Sequence, residues 1–307
     1  MLSVDEFAWK GNGRSLFITG LDGFAAAHLS SLARNCGFNV CGISRRRHCP
    51  GEGIFQCDIT NSSCLKTVLT ECQPDFVAHL SGVSAFLNNS FETVYQTNLV
   101  GSRNLLEALS ELNTPPSRVL LVSSGNVCDP SLSERLGENA PYAPITDYSV
   151  SKIAMELLAP WWSQHFPIVV ARPFNHIGRG QLSSFLVPRL ITGFRRRSPL
   201  IEVGNLNAVR DFSDVRDTVK SYLSLLLIPN VPAHPINVCT GIGHSVRALI
   251  GLLEKITSHS PKLHVSPDYT RTSEIPKLVG NPLNLIKSGA HVPKIALRDC
   301  LEWILSE

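Results

Sequence analysis

The stretch from Ser15 to Ala33 narrows the possible folds more than any other. A short apolar run, Ser15 to Thr19, ends in Gly20-Leu21-Asp22-Gly23-Phe24-Ala25-Ala26 and passes into an amphipathic segment. Strand, glycine turn and helix in that order is what a dinucleotide site requires. Gly20 permits the turn, and Gly23 lets backbone approach a pyrophosphate at the start of a helix. Ala26 stands at the third glycine position and is still small enough for close packing of helix on strand. Glycine turns also occur without a ligand, so the reading depends on the rest of the chain.

Further strands are predicted at Asn39 to Ile43, Ile54 to Cys57, Asp75 to Leu80 and Val119 to Val122. Between them lie helical stretches at Ser62 to Leu69 and Thr93 to Leu109. This alternation predicts an α/β fold with a doubly wound parallel sheet. Its carboxyl edge would carry Ser81-Gly82-Val83-Ser84 and Ser123-Ser124, small residues past which a ligand can run. After the second strand, where an acidic residue would receive the ribose hydroxyls of NAD, stand Ser44-Arg45-Arg46-Arg47. Arginines there suit a 2′-phosphate, although a solvated basic turn would show the same letters. Asp58 is placed to meet the adenine, or to cap the helix after it.

At 307 residues and 43% hydrophobic, the chain can bury a substantial core, as one large α/β unit or two joined lobes. The formal charge of +3 is spread along the sequence, which gives little support to a nucleic-acid role. Nine cysteines, none arranged as C-x-x-C and none grouped with histidine at zinc spacing, predict reduced thiols and imply no metal. Met1 to Arg14 carry Asp5 and Glu6 and lack an apolar run, so they do not read as a secretory signal. Leu223 to Ile228 is too short to span a bilayer. A soluble cytoplasmic protein is expected.

Tyr148-Ser149-Val150-Ser151-Lys152 puts a phenol and an ammonium on one helix face. A free phenol titrates near pH ~10, so proton transfer at neutrality asks for a shift of roughly three units, worth about 4 kcal/mol. A neighbouring ammonium acts in that direction. A surface Tyr and Lys could share the spacing by accident, and so the pair is weighed with the motifs around it.

Together, T-G-x-x-G-F at Thr19 to Phe24, N-x-x-G-x-x-N-L-L-E-A at Asn98 to Ala108, Ser123-Ser124 and Y-x-x-x-K at Tyr148 to Lys152 resemble an extended short-chain dehydrogenase/reductase. The resemblance covers nearly the whole chain. Downstream, Arg172-Pro173-Phe174-Asn175-His176-Ile177-Gly178, Val203-Gly204-Asn205-Leu206, Arg210-Asp211-Phe212 and Asp214-Val215-Arg216-Asp217 look like the subgroup acting on GDP-mannose derivatives. That subgroup comprises the GDP-mannose 4,6-dehydratases and the GDP-4-keto-6-deoxy-mannose reductases.

The resemblance implies a Rossmann domain at 14–174, with 211–241 returning to it, and a smaller nucleotide-sugar lobe from 175–210 and 242–307. It implies Ser124 as a hydrogen-bond donor to the substrate oxygen, Tyr148 as the proton-exchanging group, and Lys152 as holder of the nicotinamide ribose and promoter of the phenolate. NADP(H) is the implied cofactor. Gly20, Asp22, Gly23 and Phe24 would meet it, as would Ser44, Arg45, Arg46, Asp58 and Ile59. Leu80, Ser81, Gly82 and Asn98 complete that set beside Tyr148 and Lys152.

In the lobe, the resemblance places Asn175 and Arg189 near the sugar diphosphate and the backbone around Leu186 at the guanine, with Ser84 beside the sugar. Arg210 suits phosphate oxygens, or else pairs with Asp211 or Asp214. Arg271-Thr272-Ser273-Glu274 matches a segment in which Arg271 would grip the diphosphate and Glu274 the guanosine ribose. Two departures matter. Cys128 and Asp129 stand where the family continues to a second Tyr and a Gly. Gly125 and Asn126 replace the carboxylate pair with which dehydratases remove and return protons, and neither residue can do acid/base work at neutral pH.

The expected activity is therefore NADPH-dependent reduction of the C4 ketone of a GDP-4-keto-6-deoxy sugar, to the rhamnose or talose epimer. A nucleotide-sugar 4-epimerase and a catalytically silent NADP-binding protein are the alternatives. A homodimer through paired helices is what the family suggests.

Overall fold

The computed structural model describes residues 11–46, 53–83, 90–131, 133–232, 234–269 and 275–307. In chain order the first half runs β1 (Ser15–Thr19), α1 (Phe24–Asn35), β2 (Asn39–Ser44), β3 (Ile54–Gln56), α2 (Ser62–Cys72), β4 (Phe76–His79), α3 (Phe91–Tyr95), α4 (Gly101–Ser110), β5 (Arg118–Val122), α5 (Asp147–Trp162) and β6 (Ile168–Pro173). Gln96–Val100 is a π turn joining α3 to α4. The second half runs β7 (Asn175–Ile177), α6 (Leu186–Arg195), β8 (Leu200–Val203), β9 (Val209–Asp214), α7 (Val215–Leu227), β10 (Ile236–Val238), β11 (Gly243–Ser245), α8 (Val246–Thr257), β12 (Lys262–Val265), β13 (Lys277–Leu278), α9 (Leu283–Lys287) and α10 (Leu297–Leu305).

Seven strands form one parallel sheet in the order β10-β6-β5-β4-β1-β2-β3. Burial on both faces explains their composition. Leu16, Ile18 and Ala78 pack with Leu29, Val219 and Leu223 on one side. Phe17, Val77 and Leu121 pack with Leu65, Leu105 and Met155 on the other. Near-continuous apolar strands are what such a two-sided parallel sheet needs. Strand order reverses between β1 and β4, so the crevice at a topological switch point opens beside Gly20 and Ser81.

Sequence reasoning found β1 to β5, and its reading of Pro235 to Cys239 as a short strand matches β10, but it did not find β6, whose apolar run is buried throughout between β5 and β10. It also missed the short strands of the second half. There β11, β9 and β13 form a second sheet, with β7 paired to β9, and β12 lies parallel to β8. A separate core of Leu190, Phe194, Ile201, Leu249 and Leu301 fills this half.

One expectation is overturned. Cys57 and Cys64 form a disulfide, because the turn after β3 brings the start of α2 back to a Cα separation of 6.1 Å. Among the described residues Cys41, Cys72, Cys128, Cys239 and Cys300 remain free thiols. Among the described residues no helix is long and apolar enough to cross a membrane.

Candidate active site

The crevice begins at Gly20, whose φ of 71° is a left-handed conformation that favours glycine. A Cβ there would stand 3.1 Å from the Cα of Ser81, so the two walls meet at this point. Gly23 precedes α1 without a side-chain cap, and the first turn of that helix carries no acid. Its amides are thus left to an anion, and the residues present fit a dinucleotide pyrophosphate. Phe24 does not line the turn alone. Its ring stacks on His176 at 5.8 Å, which ties the turn to β7.

At the outer end of the crevice, Ser44 is buried and its hydroxyl accepts the amide of Arg46 at 3.2 Å. Arg45 and Arg46 are exposed, and Arg46 reaches Asp22 across the glycine turn at 3.7 Å. Asp58 is also exposed. Its Oδ1 takes the amide and hydroxyl of Thr60, while Asn61 caps α2, so the capping alternative for Asp58 is not realised. Ile59 is buried beneath Gly101, where an added Cβ would stand 2.6 Å away.

Asn98, expected in the groove lining, makes its hydrogen bonds with the protein. Fully buried on the π turn, it accepts the Val83 amide at 2.8 Å and donates to Val83 O at 3.2 Å and Ser151 Oγ at 2.9 Å. Both of its amide hydrogens are committed to the protein, and one lone pair of Oδ1 is left.

Thr146 caps α5 in a reciprocal bond with Ser149, which fixes the helix start two residues before Tyr148. Ser124 follows β5, and its hydroxyl accepts the amide of Asn126 at 3.2 Å. Burial raises the pKa of Tyr148, and the nearby Ser124 side chain opposes that rise. Lys152 does not pull the phenol down as the sequence suggested. Its ammonium donates to Val122 O at 2.8 Å and stands 6.0 Å from the ring centre of Tyr148. Burial lowers Lys152 to about 8, against the charge of Glu156.

Beneath this group lies a cluster that the sequence did not disclose. Arg172 on β6 donates to Glu156 through Nε at 2.9 Å and Nη2 at 2.6 Å, and Tyr142 donates to the same carboxylate at 2.9 Å. Arg172 also reaches the Cys128 Sγ at 3.3 Å, so the residue in place of the family Tyr closes a buried polar cluster. Burial draws the Arg172 pKa down, and the bonds and charge of Glu156 more than reverse this. Gly125 is fixed for a different reason: a Cβ there would stand 2.9 Å from the ring of Phe174.

In the second half, Asn175 sits on β7 and Leu186 opens α6, both half-buried. The Arg189 guanidinium stacks 3.4 Å above the ring centre of Tyr269, and its buried Nε has no hydrogen-bond partner among the described residues. Arg210 on β9 donates to the Val209 carbonyl at 2.8 Å. Asp214 binds Arg216 at 2.6 Å, and Asp211 receives Thr240, Gly241 and Gly280. Ser84, Arg271 and Glu274 lie outside the described residues.

A glycine turn at the switch point of a sheet in this order marks the doubly wound, dinucleotide-binding class. Within that class the chain belongs to the NAD dependent epimerase/dehydratase family, whose model matches residues 16–239. It is 33% identical over 274 residues to a GDP-6-deoxy-D-talose 4-dehydrogenase of Aggregatibacter actinomycetemcomitans, covering 88% of this chain and 90% of that one. It is 31% identical over 307 residues to a GDP-6-deoxy-D-mannose reductase of Pseudomonas aeruginosa, covering 95% and 96%. The solved structure of RMD from Pseudomonas aeruginosa complexed with NADPH matches with a TM-score of 0.82 at 30% identity, covering 96% of this chain and 97% of that one.

Proposed function

We propose that the protein is an NADPH-dependent reductase of the C4 ketone of GDP-4-keto-6-deoxy-D-mannose, yielding a GDP-6-deoxyhexose of the rhamnose or talose configuration. The observation that carries this reading is position 125. A side chain there would collide with Phe174, so the residue after Ser124 cannot be a carboxylate without moving the core. A dehydratase needs acid and base at that place, whereas a ketone reduction needs only one proton donor. The two relatives support the same reading, since both are named as oxidoreductases of GDP-linked 6-deoxy sugars.

NADPH bound in the crevice would supply the hydride to the ketone carbon. The remaining roles belong to the chain. Tyr148 gives its phenolic proton to the ketone oxygen, and Ser124 steadies the charge developing there. Lys152, whose ammonium stands 6.0 Å from the centre of the phenol ring, is assigned to the nicotinamide ribose. Arg45 and Arg46 take the 2′-phosphate, for which Arg46 exchanges its partner Asp22. Arg189 and Arg210, with Asn175 and the backbone at Leu186, meet the nucleotide sugar. Arg271, Glu274 and Ser84 are assigned to that lobe by their sequence pattern.

We place the domain division at 14–174 with 211–241, against 175–210 with 242–307. The return of β10 to the main sheet supports it. We also propose a homodimer through α5 and α3, supported by the exposure of Val150, Leu157 and Trp161 along one and Phe91 on the other.

The test supplies the 4-keto sugar nucleotide, follows NADPH absorbance and assigns the product's C4 configuration by NMR. Tyr148→Phe should lose about 10²–10⁴-fold in turnover while still binding NADPH. Undiminished turnover by that variant would overturn the mechanism. No NADPH oxidation by the wild-type protein would leave the silent nucleotide-binding reading, and interconversion of C4 epimers without net oxidation would leave the epimerase.

A further inference from the structure

Beneath the crevice, residues that the proposed chemistry does not use form one continuous run of hydrogen bonds. Thr19, His79, Ser102, Asn98 and Ser151 are each at most 1% exposed, so water does not compete for their polar atoms. The run joins the end of β1, the end of β4, the helix α4, the π turn before it, and α5.

Every proton in it has one place to go. The Thr19 hydroxyl accepts the amides of Leu80 at 3.1 Å and Ser81 at 2.9 Å, which occupies both of its lone pairs. Its own hydrogen therefore points to His79 Nδ1, at 2.8 Å. The imidazole must then carry its proton on Nε2, which donates to Ser102 Oγ at 2.8 Å. The Ser102 hydrogen goes on to Asn98 O at 2.6 Å. Asn98 clasps Val83 in both directions and donates to Ser151, whose hydroxyl donates to Tyr148 O at 2.7 Å. Burial, and secondarily the charge of Lys152, lowers the pKa of His79 to about 3, consistent with a neutral ring.

The groups at the ends of this run matter to the site. Leu80, Ser81 and Val83 supply the backbone of one crevice wall. Ser151 is the neighbour of Lys152 on the other side. The two meet at Gly82, where a Cβ would stand 3.3 Å from Asn98 Oδ1 and 3.3 Å from Lys152 Nζ. A wall displaced by even a fraction of that distance would press on the ammonium or release it.

We propose that His79, locked as its Nε2–H tautomer between Thr19 and Ser102, is a positioning residue of the dinucleotide site: it holds the Leu80–Val83 wall in register with Lys152. The inference rests on the reading that this crevice binds NADPH. Buried networks of this kind pin a single arrangement only when every member is satisfied. Removing one hydroxyl should therefore loosen the wall while the rest of the core stays packed.

The test measures NADPH affinity by the fluorescence of the bound nicotinamide, at a temperature where near-ultraviolet circular dichroism shows each variant folded. Ser102→Ala and Thr19→Val should each weaken binding by about tenfold or more. Thr19→Ser, which keeps the hydroxyl, should stay within about twofold of wild type. That rescue separates positioning from a general loss of stability. If Thr19→Val does not accumulate as folded protein, Ser102→Ala and His79→Asn carry the same comparison. Wild-type affinity in folded Ser102→Ala and His79→Asn would overturn the positioning role and leave the proposed function standing. Failure of the wild-type protein to bind NADPH would overturn the proposed function and this inference with it.

Discussion

Replacing Glu156 by Gln removes the negative charge from a pair whose side chains are only 1% and 3% exposed. The carboxylate receives Arg172 Nε at 2.9 Å, Arg172 Nη2 at 2.6 Å and the Tyr142 hydroxyl at 2.9 Å. Without its charge, the guanidinium is left with Glu138 O, the Tyr142 hydroxyl and the Cys128 sulfur as its other hydrogen-bond partners. Breaking a buried ion pair from one side costs about 3–5 kcal/mol, because the surviving charge stays desolvated and unpaired. Arg172→Met should cost about the same for the mirror-image reason. The double variant Glu156→Gln with Arg172→Met removes both charges and should cost clearly less than the two single losses added together. Urea unfolding of the four proteins, followed by fluorescence and circular dichroism together, measures the cycle. Single losses that simply add in the double variant would refute the claim that the pair is mutually compensating. A second readout comes from position, since the charge of Glu156 supports the protonated form of Lys152. Glu156→Gln should therefore move the alkaline limb of the reductase pH profile to lower pH.

Three other outcomes are expected. His79 has a folded pKa of about 3 against an ordinary 6.5, so the unfolded chain binds the extra proton first. The associated stability is present above the unfolded value and is lost as pH falls toward the folded one. Between about pH 7 and about pH 5 this amounts to about 2 kcal/mol, and urea titrations of His79→Asn should show a shallower acid limb. Gly125→Ala should destabilise the protein by about 1–3 kcal/mol, since its Cβ meets Phe174, and a thermal melt that does not move would contradict that contact. Arg46→Ala should weaken NADPH binding by about tenfold and leave NADH binding nearly unchanged, measured by parallel titrations of the two cofactors.

The parts that were legible from sequence share a physical property: their geometry is local. Gly20 to Phe24 act as a turn and a helix start within a few residues. Tyr148 and Lys152 are joined by helical pitch, and β1 to β5 announce themselves by apolar runs. The buried relay was illegible because His79 is separated from Thr19 by 60 positions and from Ser102 by 23. Arg172 and Glu156 are 16 apart and lie on different elements. In a string of letters each is an ordinary polar residue. Asn98 shows the limit from the other side. Its motif was recognised, yet its amide turned out to face Val83 and Ser151. The disulfide between Cys57 and Cys64 was missed because spacing alone does not say that a helix folds back over a strand end.

Apolar period, glycine placement and helical spacing belong to the sequence, because backbone sterics and side-chain repeat act between near neighbours. They were sufficient for the parallel sheet, the turn at its switch point and the phenol–lysine pair. Protonation and contact belong to the folded state. Only folding removes water from Lys152, His79 and Arg172, and only then do desolvation and distant partners decide which of them carries a charge and where it points.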